Sequence, residues 1–160
     1  MKTVWVSGAS TGIGFATAKK FLNSNWNVII SSSNYEKLLL AKKQLLLKSE
    51  NKELYSYKCD ISDRNQVTET VNKITKQIGN INLAILNAAA YTPNKEQVFS
   101  IQNFEKLIDV NLKGTLFCIE SLINNMKNNQ NHIAIMASPV GYRGLPTGAA
   151  YGLTKAGLIN

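Results

Sequence analysis

Tyr151 and Lys155, near the end of this 160-residue chain, have the side-chain types needed to move a proton. On a helix their spacing puts both on one face. A phenol has an ordinary pKa of about 10 and is a poor acid–base group at neutral pH. A neighbouring ammonium favours the phenolate and brings that value down. Bringing it down by about three pH units takes about 4 kcal/mol of differential interaction. Ser138 precedes the pair across a loop, at the end of a strand-like run. If that run belongs to an open α/β sheet, Ser138 sits beyond a strand's carboxyl end, where such sheets bind ligands.

A second set of residues lies at the other end of the chain. Ser7-Gly8-Ala9-Ser10-Thr11-Gly12-Ile13-Gly14 follows the apolar run Val4-Trp5-Val6 and opens helical spacing at Ile13. Strand, glycine turn and helix in that order is the setting of a dinucleotide-binding loop. Gly8 permits the tight turn, Gly12 lets backbone approach a phosphate, and Gly14 lets the helix sit close on the sheet. The free N–H groups at the helix start favour an anion. The glycines read G-x-x-x-G-x-G rather than the commoner G-x-G-x-x-G.

The elements that must position these residues alternate, which predicts β-α-β units and a parallel sheet. Strands are expected at Thr3–Ser7, Val28–Ile30, Leu54–Cys59, Leu83–Leu86 and Ile133–Ala137. The first helix is expected from Ile13 to Ser24, with Phe21 and Leu22 inward. Ser33 with Glu36 three residues on reads as a capping box opening a helix to Lys48. Asp63 caps a third helix whose Val67, Val71, Ile74 and Ile78 form one apolar stripe, stopped by Gly79. A loop with Pro93 leads to helical spacing from Asn103 to Lys127, Asn128–Asn131 is a polar turn, and a last helix begins near Ala149.

Composition narrows the function classes. The chain is 44% hydrophobic, enough for one domain with a real core. No apolar run reaches the length of a membrane span, and the N-terminus lacks a secretory pattern. Cys59 and Cys118 offer neither a disulfide framework nor metal spacing, so a reduced, cytoplasmic chain without a metal site is expected. The net charge of +8 raises nucleic acid as a partner. The lysines are scattered over predicted helix faces, however, with no basic run bearing interleaved aromatics, and nucleic acid is set aside. His132, the only histidine, starts a strand and is read as a surface residue.

These motifs together resemble the short-chain dehydrogenase/reductase family, whose first loop reads T-G-x-x-x-G-x-G; Ser7 here keeps the hydroxyl of the Thr. The resemblance covers all 160 residues and implies a three-layer αβα, Rossmann-type doubly wound parallel sheet in strand order 3-2-1-4-5. It implies an oxidoreductase moving hydride between a nicotinamide and a carbonyl or secondary alcohol. Tyr151 would be the general acid–base, Ser138 the donor to the substrate oxygen, and Lys155 the tuner and ribose ligand. A positive nicotinamide ring would add to the lysine's effect on the phenol. Asn111, in Val110-Asn111-Leu112-Lys113-Gly114, matches the asparagine that helps hold a water on the lysine's proton path. Gly8, Ser10, Thr11, Gly12, Ile13 and Gly14 would bind the cofactor. Asp60 and Ile61 match the pair that contacts adenine. Asn87, Ala88 and Ala89 stand where the family shows N-A-G, and Leu86 where it shows a further Asn.

The family's NAD enzymes carry an acid at the end of the second strand; Ser32 stands there, followed by Ser33. Lack of that acid removes repulsion against a 2′-phosphate, and serine hydroxyls can donate to it, so NADP is expected over NAD. The family normally continues with the rest of the last helix, a sixth strand, a substrate-covering segment and a seventh strand. Strands six and seven are not among these 160 residues, so the edge beside the fifth strand is expected open and the NAD(P)-binding domain incomplete. A homo-oligomer acting on a small-molecule carbonyl or alcohol is the expectation. The alternative is a truncated, non-catalytic nucleotide-binding or oligomer-interaction protein.

Overall fold

The computed structural model describes residues 1–47, 53–92, 100–126, 131–146 and 148–160. The sequence readings at Lys48, Pro93, Lys127 and positions 128–130 lie outside them.

Strands β1 (Thr3–Ser7) and β2 (Asn27–Ser32) are almost wholly buried, and β4 (Leu83–Leu86) nearly so. A strand covered on both faces has no polar side to show, so these runs are continuously apolar rather than alternating. Their residues still divide by parity. Val4, Val6, Val28, Ile30 and Ile85 pack with Ala18 and Leu22 of α1 (Gly12–Asn23) and with Leu38 and Leu45 of α2 (Tyr35–Leu46). Trp5, Ile29, Ala84 and Leu86 point the other way, onto Val67, Val71 and Ile74 of α3 (Arg64–Gln77) and Cys118 and Leu122 of α5 (Gly114–Asn125). The Trp5 indole is fully buried, and its N–H donates to Ser31 Oγ at 3.0 Å, so the core holds no orphaned donor there.

With β3 (Leu54–Lys58) and β5 (His132–Ile135) the sheet has, among the described residues, five strands in the order β3-β2-β1-β4-β5, every pair parallel. This is the three-layer doubly wound sheet expected from the sequence. β5 forms one edge, with His132, Ala134 and Ile135 exposed. Among the described residues no helix is long and apolar enough to cross a membrane.

Several boundaries differ for physical reasons. The cap of α2 is Asn34, whose Oδ1 accepts from the Lys37 amide at 2.9 Å, rather than Ser33. The two residues are adjacent cap formers, and the strand runs on to Ser32, which leaves only Asn34 at the helix entrance. Asp63 caps α3 as expected, accepting from Asn65 and Gln66, and Gly79 (φ +106°) ends the turn beyond it. Phe21 is half-buried and meets the Trp26 ring edge-on at 5.1 Å. The helical stretch expected from Asn103 is three pieces: α4 (Ile101–Leu107), a π turn (Ile108–Lys113) and α5. β5 ends at Ile135, two residues before the expected Ala137, and a 3-10 turn (Pro139–Gly141) leads toward α6 (Ala149–Ile159).

Candidate active site

The strand order reverses between β1 and β4, and ligands in such sheets bind at that crevice beyond the carboxyl ends of the strands. A cleft of about 900 Å³ opens there. Its lining brings together Gly8, Ser10, Thr11 and Ile13 from the first loop, Ser32 and Ser33 after β2, Asp60 and Ile61 after β3, and Asn87, Ala88 and Ala89 after β4. Ser138, Tyr151 and Lys155 line it from the β5 side. Gly12 and Gly14 belong to the loop but not to the lining, and Asn111 lies behind it.

The first loop is built around positive φ. Gly8 (φ +64°) could not carry a side chain, because a Cβ there would lie 2.6 Å from Ala88 Cα. Gly12 (φ +59°) differs: a Cβ would meet nothing within 4 Å. Its turn therefore leaves open space between two lining residues, Thr11 and Ile13. Gly14 sits close against the loop itself, where a Cβ would come within 2.5 Å of Gly8 O and Asn87 Nδ2. Thr11 is the N-cap of α1 yet makes no side-chain cap bond, whereas α2, α3 and α4 are each capped by a side chain. Helix-terminal amides without a partner are the ordinary seat of a phosphate. Ile13 is 63% exposed, an apolar residue left at the cleft.

Asn87 faces the loop rather than open space. Its Nδ2 donates to Ser7 O and Gly8 O, both at 3.1 Å. Ser7 Oγ in turn accepts from the amides of Asn87 and Ala88 at 3.0 and 3.1 Å. These bonds lock the glycine turn to the end of β4, and they use the hydroxyl at position 7. Asp60 is likewise engaged: Oδ1 accepts from Ser62 N and Ser62 Oγ at 3.0 and 2.7 Å. Ser32 Oγ shares a hydrogen bond with Ser10 Oγ at 3.1 Å and accepts from the Asn34 amide. Ser33, relieved of capping, is exposed at the cleft.

Asn111 is 1% exposed and sits in the π turn. Its side chain takes the Ala90 amide at 2.7 Å, gives to Ala90 O at 3.0 Å, and gives to Thr154 Oγ1 at 3.1 Å. It ties the loop after β4 to α6, and does not bond to Lys155. The sequence motif placed the residue without revealing these partners.

Lys155 is 3% exposed and its Nζ donates to the Met136 carbonyl at 2.6 Å, with the ammonium 5.6 Å from the Tyr151 ring centroid. Burial holds its pKa below the ordinary lysine value. Tyr151 is half-buried against Tyr91, ring centroids 4.9 Å apart. The expected lowering of the phenol is not found in the chain by itself. Burial pushes Tyr151 up, with the charge of Tyr91 adding to it. Helical spacing predicted the pair's proximity; it did not reveal that the ammonium is held by a carbonyl or that a second phenol stands beside the first. Ser138 caps the 3-10 turn, its Oγ accepting weakly from the Val140 amide at 3.4 Å.

Among the lining residues that the sequence did not assign to the site are Cys59, Tyr91, Lys106, Val110 and Met136. Tyr91 and Met136 lie in short irregular stretches. Lys106 and Val110 are one helical turn apart, a spacing any helix face would show. His132 is exposed at the start of β5, away from this cleft.

An uncapped helix start, an open cradle at Gly12 and hydroxyls without a carboxylate at the end of β2 fit a nicotinamide dinucleotide. The sequence model of the family described as short chain dehydrogenase matches residues 2–160. The chain belongs to that family. It is 27% identical over 158 residues to an uncharacterized oxidoreductase of Staphylococcus epidermidis, covering 98% of this chain and 66% of the relative. A 3-oxoacyl-(acyl-carrier-protein) reductase of the same species is 28% identical over 159 residues, with 99% and 65% covered. Among solved structures, an NAD+-bound xylitol dehydrogenase superposes with a TM-score of 0.89 at 28% identity, over 99% of this chain and 61% of that one. The chain spans just under two thirds of the length of these relatives.

Proposed function

We propose that the chain binds NADP(H) in this cleft and exchanges hydride and proton with a small carbonyl or secondary-alcohol substrate. The observation that carries the reading is one cleft lined both by the glycine loop with its uncapped helix and by Ser138, Tyr151 and Lys155. When bound, the dinucleotide supplies the hydride for reduction and takes it up in oxidation. Ser138 Oγ–H donates to the substrate oxygen and fixes its position. Tyr151 Oη gives its proton to that oxygen as negative charge grows there, and takes it back in the alcohol direction. The buried Lys155 ammonium stabilises the phenolate left behind. Asn111 holds the helix bearing Tyr151 against the loop after β4. The paired hydroxyls of Ser10 and Ser32, with Ser33, receive the ribose phosphate that distinguishes NADP from NAD; the relative crystallised with NAD+ makes NAD the comparison to run. Self-association belongs to the same reading, through the exposed β5 edge and the exposed Leu116 and Ile123 of α5.

The test is NADPH oxidation against a panel of ketones and aldehydes, run with wild type and Tyr151→Phe. Turnover in the wild type that disappears in Tyr151→Phe is the expected result. Equal turnover in both removes Tyr151 from the mechanism.

A further inference from the structure

Tyr91 lies in the stretch Ala88-Ala89-Ala90-Tyr91 that follows β4, and it lines the cleft beside Tyr151. The two rings meet edge to face, with planes at 66°. The contact does not depend on the side chains alone. Asn111 grips both the N–H and the C=O of Ala90, the residue before Tyr91. The same Asn111 donates to Thr154 Oγ1, and the Thr154 hydroxyl donates to the Tyr151 carbonyl at 2.8 Å. Asn111 and Thr154 are both buried, so the loop carrying Tyr91 and the helix carrying Tyr151 are joined through one dry hydrogen-bond path. Tyr91 itself is 52% exposed, so the fold does not need its hydroxyl.

We propose that Tyr91 is a positioning residue for Tyr151, fixing its ring by edge-to-face contact and setting the surroundings of its hydroxyl. This rests on the oxidoreductase reading above and adds to it the residue that orients the acid–base ring. The titratable groups that share the cleft with Tyr151 come from four elements. They are Tyr91 from the loop after β4, Lys155 from its own helix, Lys106 from α4, and Cys59 and Asp60 from the end of β3. Lys155 is held by the Met136 carbonyl and Asp60 by Ser62. Tyr91 is the group in ring contact with Tyr151. Burial and then the charge of Tyr91 push the Tyr151 phenol above its ordinary value.

The experiment is a pH titration of the tyrosine ring-carbon resonances, followed by NMR in chain labelled at tyrosine Cζ. Tyr151→Phe identifies the signal, and wild type, Tyr91→Phe and Tyr91→Ala are compared. Tyr91→Phe should lower the Tyr151 midpoint while leaving its ring ordered; Tyr91→Ala should lower it and set the ring in motion. An unchanged midpoint in Tyr91→Phe, or an equally ordered ring in Tyr91→Ala, overturns the proposal. The titration needs no cofactor and no turnover, so failure to bind NADPH would sink the oxidoreductase reading separately. In a turnover assay Tyr91→Phe should move the alkaline limb of carbonyl reduction toward neutral pH. Tyr91→Ala should lose up to about tenfold in kcat, the scale of one edge-to-face contact. Its KM for NADPH should stay near wild type, and a loss confined to KM contradicts positioning.

Discussion

Alanine at Gly8 and alanine at Gly12 separate the two tasks of the first loop. Both glycines have positive φ, +64° and +59°, and a left-handed residue with a Cβ costs about 1–2 kcal/mol. At Gly8 the Cβ also lands 2.6 Å from Ala88 Cα, which forces backbone to move. Overpacking of that kind adds about 1–3 kcal/mol. The total for Gly8→Ala is about 2–5 kcal/mol, a fall in Tm of about 4–20 °C for a chain of this size. At Gly12 the Cβ meets no atom within 4 Å, so Gly12→Ala should lose only about 2–8 °C. In the proposed cofactor seat that open space receives a phosphate, and the methyl should fill it. Thermal melts with and without saturating NADPH read both effects. Gly12→Ala should fold and bind NADPH at least about tenfold more weakly, a change of about 1.4 kcal/mol. A Gly12→Ala chain that binds as wild type would show that no phosphate approaches there, and a Gly8→Ala chain that melts at the wild-type temperature would show that the loop tolerates a Cβ against Ala88.

Three further outcomes follow from the same structure. Asn87→Ala removes the two bonds to Ser7 O and Gly8 O and should destabilise by about 1–3 kcal/mol, visible as a lower denaturation midpoint. Lys155→Met tests the buried ammonium through pH. Burial lowers the folded-state pKa of Lys155, so between that value and the ordinary one the unfolded chain holds a proton that the folded chain lacks. Wild-type stability should therefore rise relative to Lys155→Met as pH climbs toward about 10, and a flat difference would contradict the burial. Ile135→Lys places a charge on the 38%-exposed edge of β5 and should reduce self-association in sedimentation. An unchanged sedimentation profile would show that edge pairing plays no part.

Much of the fold was legible because its periods are clean. Val4-Trp5-Val6 and Val28-Ile29-Ile30 are too apolar for anything but central strands, and Val67, Val71 and Ile74 mark the buried face of α3. The π turn was not legible. The apolar spacing from Leu107 to Leu122 is compatible with a continuous helix, and only the buried Asn111, bonded to both Ala90 and Thr154, registers the extra residue. Ser33 and Asn34 are equally good caps on paper; the run of β2 to Ser32 decides between them. The candidate site was readable where chemistry imposes spacing, at Gly8–Gly14 and at Tyr151 with Lys155. It was not readable where tertiary contact decides. A lone aromatic after three alanines gives no hint that Tyr91 meets Tyr151, and no pattern links Lys155 to the carbonyl of Met136.

In the proposed function one cleft seats a nicotinamide dinucleotide on the α1 amides and presents it to Tyr151. Titrating NADPH into nitrogen-labelled chain and mapping the amides that respond is the decisive test. The largest shifts are expected at Thr11, Gly12, Ile13 and Gly14, at Ser32 and Ser33, and at Ser138 and Tyr151, with NADH producing the same map at weaker affinity. Shifts confined to another surface, such as the exposed leucines of α2, or no response at saturating NADPH, would contradict it.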